Sequence, residues 1–147
     1  MKKIVISILS LFVILTTAEI TDTNIIQTKK AEAYGSYRYS SNPYYWGSCA
    51  YYAYNRRAQL GRPVGKYWGN ARNWAYNARR AGYKVSHKPK RGAVMQTTKG
   101  YYGHVAVVER INRNGSILVS EMNFPYQGVK TYRTISKYQK KYYNYIY

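Results

Sequence analysis

The hydrophobic pattern of this chain changes period once, near Pro89, and that change restricts the fold more than any other feature. Upstream of it, Ala71, Trp74, Ala75 and Ala78 stand at i, i+3, i+4 and i+7, while Arg72, Arg79 and Arg80 lie off the stripe. The spacing predicts a helix from about Asn70, a good N-cap, to Gly82, with Trp74 in the core rather than on a ligand. An earlier helix is predicted from WGSC to Gly61. Gly47 or Ser48 supplies its cap, Ala50 and Ala53 favour it, and Gly61 is placed to stop it. Downstream of Pro89, residues 93–97, 104–111, 116–123 and 129–135 form short runs rich in Val, Ile, Thr or Tyr, with 142–147 as a candidate last strand. Asn114-Gly115 between two of these runs is a strong hairpin signal. Helices first and then an antiparallel meander imply an α+β domain, its N-terminal helices packed on the sheet.

The chain opens with Met1-Lys2-Lys3 and a 12-residue apolar run, 4–15, the pattern of a secretory signal peptide and too short for a comfortable membrane span. Two small-residue cleavage sites follow, one ending at Ala18 and one at Ala33. The second matches the small-x-small pattern better and coincides with a change to Tyr/Ser/Gly composition, so 1–33 is read as the signal peptide. Residues 34–43 then form a short Tyr/Ser-rich lead-in, and 44–147 one small domain.

Without residues 1–33, 20 basic and two acidic side chains remain, a formal charge of +18 on 114 residues. Such a chain attracts polyanions over long range and with counterion release. Secretion removes nucleic acid as the usual partner and leaves anionic wall polymers and membrane headgroups, and no stable membrane insertion is expected once the signal is cleaved. A monomer, secreted and associated with the cell wall, is the expected state.

Cys49 is the sole cysteine, so it makes no internal disulfide and is a free thiol. A thiol nucleophile needs an imidazole to take its proton and a third group to orient the ring. Downstream of Tyr34 the candidates are His87 and His104, with Glu109 and Glu121, which allow four triads. At a helix N-terminus Cys49 would feel the helix dipole and have free backbone N–H groups beside it, with Trp46 and Gly47 giving an apolar wall and a tight approach. His104 follows Gly103 and starts a strand, whereas His87 sits in VSHKPKRG, a basic surface loop. Strand parity sets Glu109 on the face opposite His104 and roughly 16 Å away at about 3.3 Å per residue. A four-residue loop, 112–115, would put Asn123 opposite His104 and Glu121 one diagonal step away. A three-residue loop or a bulge would reverse that parity. Taken alone, Glu121 reads as a surface charge and Asn123 as a turn former before Pro125.

WGSCAYYAYNRR, WGNARNWAYNARRAGY, KRGAVMQTTKGYYGHVAVVE and SILVSEMN, in this order and spacing, resemble the CHAP domain, the cysteine- and histidine-dependent amidohydrolase/peptidase family. The likeness spans about residues 44–147 and, within the family, points to the staphylococcal secretory antigen group of small secreted proteins. It implies a papain-like α+β fold and cleavage of an amide bond in peptidoglycan. Cys49 would be the nucleophile, His104 the base, Glu121 the orienting acid and Asn123 an accessory polar group. Both N-acetylmuramoyl-L-alanine amidases and cross-bridge endopeptidases occur in such a family; the amidase is the leading expectation. A non-catalytic, basic wall-binding protein is the alternative outside enzymes. Some family members carry an acidic calcium loop, but no aspartate follows Asp22 here, so no such calcium site is expected; the reading calls for no other metal and no cofactor.

Overall fold

A computed structural model describes residues 42–147. The signal peptide and most of the lead-in expected from the sequence lie outside the described residues. Helix α1 spans Cys49–Gln59. A 3-10 turn, Ala71–Asn73, runs into helix α2, Trp74–Arg80. Six strands follow: β1 (Val85–Ser86), β2 (Val94–Thr97), β3 (His104–Ile111), β4 (Ile117–Met122), β5 (Lys130–Ile135) and β6 (Asn144–Ile146). All pair antiparallel in one sheet of order β1-β6-β2-β3-β4-β5. This is the α+β layering that the change of period predicts.

The sheet departs from a simple meander in one respect. β2 to β5 are sequential neighbours, but β6 returns across the sheet and inserts between β2 and β1, a two-residue strand not foreseen from the sequence. Burial explains the return. Tyr145 and Ile146 are fully buried and pair with Met95 and Val94, so the last strand contributes a side chain to each face of the sheet.

Alternation along the strands divides the core in two. Val94, Val105, Val107 and Ile146 point to the helices, where they meet Ala53, Tyr54, Trp68, Trp74 and Ala78. Met95, Ala106, Val108, Ile117, Val119, Ile135 and Tyr145 form a second cluster on the opposite face. Trp74 is fully buried, with its ring 5.4 Å from Trp68 and 5.2 Å from Tyr44. The second helix begins as a 3-10 turn whose first carbonyls are also tied to the sheet. The buried Gln96 amide donates to Ala71 O at 3.0 Å and to Arg72 O at 3.1 Å, and its own oxygen accepts from Asn144 at 2.8 Å.

The β3–β4 hairpin is not closed by the four-residue loop 112–115. Ile111 pairs with Ile117, and the Asn112 N–H donates to Ser116 O, which leaves an odd-numbered loop. A bulge then inserts Glu109 between Val108 and Arg110. The odd loop and the bulge each reverse side-chain parity, and together they restore it. Val107 pairs with Ser120, and the same register continued three residues would set Asn123 level with His104. Glu121 thus shares the His104 face, by an offset of loop and bulge that the four-residue loop does not include.

Candidate active site

Ser48 has extended backbone angles, and its Oγ accepts the Tyr51 N–H at 3.0 Å, which starts α1 at Cys49. The Cys49 and Ala50 N–H groups precede the first i to i−4 bond, donated by Tyr52 to Ser48 O. Gly47 enters this turn at φ +78, and a Cβ there would lie 2.9 Å from Gly128 N. The approach is tight because the Gly128 N–H donates to Gly47 O. The wall expected from Trp46 is elsewhere: that ring is mostly exposed and lies against Gly128. The groove above Cys49, about 670 Å³, is walled instead by Tyr44, Tyr45, Tyr101 and Tyr102. The last two meet edge to face at 4.7 Å.

His104 opens β3 at the rim of this groove, and its Nε2 lies 2.8 Å from Glu121 Oε2. Glu121 is fully buried, so its charge needs compensation. Arg133 provides it, with Nε donating to Oε1 at 2.8 Å and Nη2 to Oε2 at 3.0 Å. Arg133 lies two residues beyond Thr131, the cross-strand partner of Glu121, and so projects from the same face. The ring of Phe124 covers the assembly, 4.3 Å from the Arg133 guanidinium and 5.4 Å from the imidazole.

With Nε2 committed to Glu121, Nδ1 is the ring nitrogen left for the thiol. Burial pushes the Cys49 pKa up. Hydrogen bonding to His104, the imidazolium charge, and the backbone N–H groups of Val105 and Ala50 outweigh it and hold the thiol below its ordinary value. Burial also opposes the charged form of His104, but Cys49 and Glu121 raise its pKa to about 9. For Glu121, the His104 and Arg133 bonds overcome burial and keep the carboxyl ionised. The arrangement favours a thiolate–imidazolium pair over two neutral groups.

The other candidates sit apart from this chain of contacts. Glu109 faces α1, where Arg56 grips it through Nε at 2.8 Å and Nη2 at 2.7 Å, and Ser120 Oγ donates to it at 2.6 Å. His87 is exposed, with Nδ1 2.8 Å from Tyr143 O. Asn123 has φ +60 and lines the groove with Cys49 and His104. Among the described residues it makes no hydrogen bond to His104 or Glu121. No group of three or more His, Cys, Asp and Glu side chains able to hold a metal occurs among the described residues. Sequence reasoning missed Arg133 and Phe124. The position of Arg133 four residues into a polar strand gives no signal until the β4–β5 register is known.

The linkage can be measured. Glu121→Gln is expected to lower the His104 titration midpoint from about 9 toward the ordinary value near 6.5, read by NMR of the imidazole ring. Glu109→Gln should leave it in place. Because the folded-state His104 pKa is raised, its contribution to stability is full below pH 6.5 and is lost as pH climbs through about 9. Glu121→Gln should therefore also reduce the stability gained on going from pH 9 to pH 6.5. The opposite ranking of the two glutamates would mean that the imidazole is coupled elsewhere.

Residues 39–123 match the model of the CHAP domain. The chain is 50% identical over 106 residues to "N-acetylmuramoyl-L-alanine amidase sle1" of Staphylococcus aureus (strain USA300), and 46% identical over 106 residues to the protein of the same name from Staphylococcus haemolyticus (strain JCSC1435). Each alignment covers 71% of this chain and 32% of the relative, so the chain spans about a third of the length of these proteins. A crystal structure of N-acetylmuramoyl-L-alanine amidase from Staphylococcus aureus superposes with a TM-score of 0.68 at 40% identity, over 71% of this chain and 31% of that one. The family match takes in Cys49, His104, Glu121 and Asn123, and the likeness of fold agrees with helices laid on one antiparallel sheet: the chain belongs to the CHAP domain family.

Proposed function

We propose that this protein is a secreted peptidoglycan hydrolase, an N-acetylmuramoyl-L-alanine amidase acting through a Cys49 thioester. The observation that carries the reading is the connected set Cys49–His104–Glu121–Arg133 at the rim of an open groove. The relatives named as amidases support the choice of bond.

In this mechanism the Cys49 thiolate attacks the amide carbonyl carbon. The C–S bond forms as the carbonyl π electrons move to oxygen, and the backbone N–H groups at the start of α1 stabilise that oxyanion. Collapse of the intermediate breaks the C–N bond, and the His104 imidazolium gives its proton to the leaving amine. Neutral His104 then takes a proton from water as it attacks the thioester. The C–S bond breaks, the thiolate–imidazolium pair is restored, and the product leaves as a carboxylic acid whose remaining proton passes to solvent or to the released amine. Glu121, held by Arg133, keeps the ring oriented and favours its charged form, while Asn123 contributes a polar group to the groove wall.

Mass spectrometry of fragments from digested, purified walls tests the bond assignment. The expected products are free lactyl carboxylates on the glycan and new L-alanine amino termini on the stem peptides. New glycine amino termini or new D-alanine carboxyl termini would replace the amidase assignment with an endopeptidase. Walls left without new termini of either kind would favour the non-catalytic binding role.

A further inference from the structure

At the far end of α1 from Cys49 lies a second cavity, of about 460 Å³, lined by Arg57, Arg62, Lys90, Tyr83, Tyr147 and Ala93 among others. Arg57 is eight residues along the helix from Cys49, about 12 Å at 1.5 Å per residue. The two cavities share no lining residue.

Arg57 is only 2% exposed and forms no ion pair among the described residues. Its Nε donates to Arg62 O and its Nη1 to Gly92 O and Ile146 O. Among the described residues Nη2 makes no hydrogen bond. The ion pairs among them, Arg56–Glu109, His104–Glu121 and Arg133–Glu121, all lie outside this cavity. Three carbonyl dipoles orient the guanidinium without neutralising it, and burial together with the nearby Arg62 charge pushes its pKa down to about 10. A desolvated positive charge without a counter-charge strengthens the binding of any anion that reaches it.

The rim adds two more cations. Arg62 is steadied by one bond, from Nη1 to Arg91 O at 2.9 Å, and has further N–H groups to offer. Lys90 Nζ lies 4.9 Å from the centre of the Tyr147 ring. No Asp or Glu lines the cavity. We propose that this cavity binds a phosphate group of an anionic polymer, with Arg57 as its floor and Arg62 and Lys90 as its rim. A phosphodiester fits this design: its oxygens accept from a guanidinium fork and an ammonium together, and the exposed rim lets the polymer continue past the site. The proposal rests on the chemistry of this pocket and does not depend on amide cleavage at Cys49.

The test is an NMR titration of the full chain at constant ionic strength, following the Arg57 Nε–H and Gly92 N–H signals. The probes are inorganic phosphate, a glycerol phosphate oligomer, and acetate as a control. Saturable shifts with both phosphate probes are expected, with the oligomer binding more tightly and acetate producing little change. Arg62→Gln/Lys90→Gln should weaken oligomer binding about tenfold, in line with the loss of charged hydrogen bonds. Lys90→Gln alone, at an exposed side chain that the fold does not need, should weaken it about threefold by loss of one charge. Shifts that do not saturate, that acetate reproduces, or that neither variant alters would overturn the proposal. So would saturation by inorganic phosphate with none by the oligomer, which would assign the cavity to the free ion.

Discussion

Cys49→Ala is expected to abolish lysis of purified walls, by about 10⁴-fold or more, while the protein remains folded. The size of the loss follows from the thiol's role in both halves of the proposed reaction. It forms the bond that expels the amine, and the thioester it creates is the species that water attacks. No neighbour can replace it: Ser48 is the nearest hydroxyl in sequence, but its Oγ is committed to capping α1. The fold should survive because that cap remains and alanine is a good helix former. His104 would lose one of the two groups that raise its pKa, so its midpoint should fall from about 9 even where the domain is intact. Cys49→Ser should also be inactive, since the imidazole would face a hydroxyl far harder to ionise. A folded Cys49→Ala protein that still lysed walls would exclude thiol acyl transfer outright.

The residues of the site differ in how much the sequence alone reveals. Cys49 is legible because a small polar cap, a cysteine and a helix-favouring run are local features, and Ser48 behaves as its residue type predicts. His104 is legible for a similar reason, since Gly103 and the apolar run after it mark the start of a rigid strand. Selecting Glu121 over Glu109 is a different matter, because it depends on register. The parity argument puts Glu121 on the His104 face only because an odd loop and the Glu109 bulge offset each other. Nothing in the sequence SILVSEMN distinguishes a fully buried glutamate from a surface one. The distinction comes from Arg133, contributed by a strand outside the segment matched to the family.

The apolar wall differs from its sequence-based position for a related reason. Nearness in sequence suggested Trp46, whereas the groove takes Tyr101 and Tyr102 from a loop more than fifty residues away. β6 shows the same limit at the level of topology. Its apolar side chains mark it as a strand, but its place between β1 and β2 depends on both faces of the sheet needing cover. Local chemistry was readable from the sequence, while long-range pairing required the fold.

Gly103→Ala is expected to destabilise the domain by about 3 kcal/mol and to reduce wall lysis by more than the loss of folded protein explains. Gly103 has φ +73, where an L side chain is strained, and an added Cβ would find no room. It would lie 2.5 Å from Arg72 N, 2.7 Å from Arg72 Cα and 2.7 Å from Thr97 O. All three are backbone atoms, so no side chain can rotate away to relieve the contact. The Arg72 N–H also donates to Tyr102 O at 2.8 Å, which ties the 3-10 turn to the residue just before Gly103. Relief therefore requires the turn, the end of β2 or the start of β3 to move. The start of β3 is His104, whose ring must stay within reach of both Cys49 and Glu121. Gly100→Ala is the matched control. It has φ +79 but open space around the added carbon, so only the conformational cost of about 1 kcal/mol should appear. Chemical denaturation of both variants, alongside wall lysis per folded molecule, separates the two contributions. Equal stability losses in the two variants would mean that the backbone around Gly103 yields freely and that close packing does not fix the position of His104.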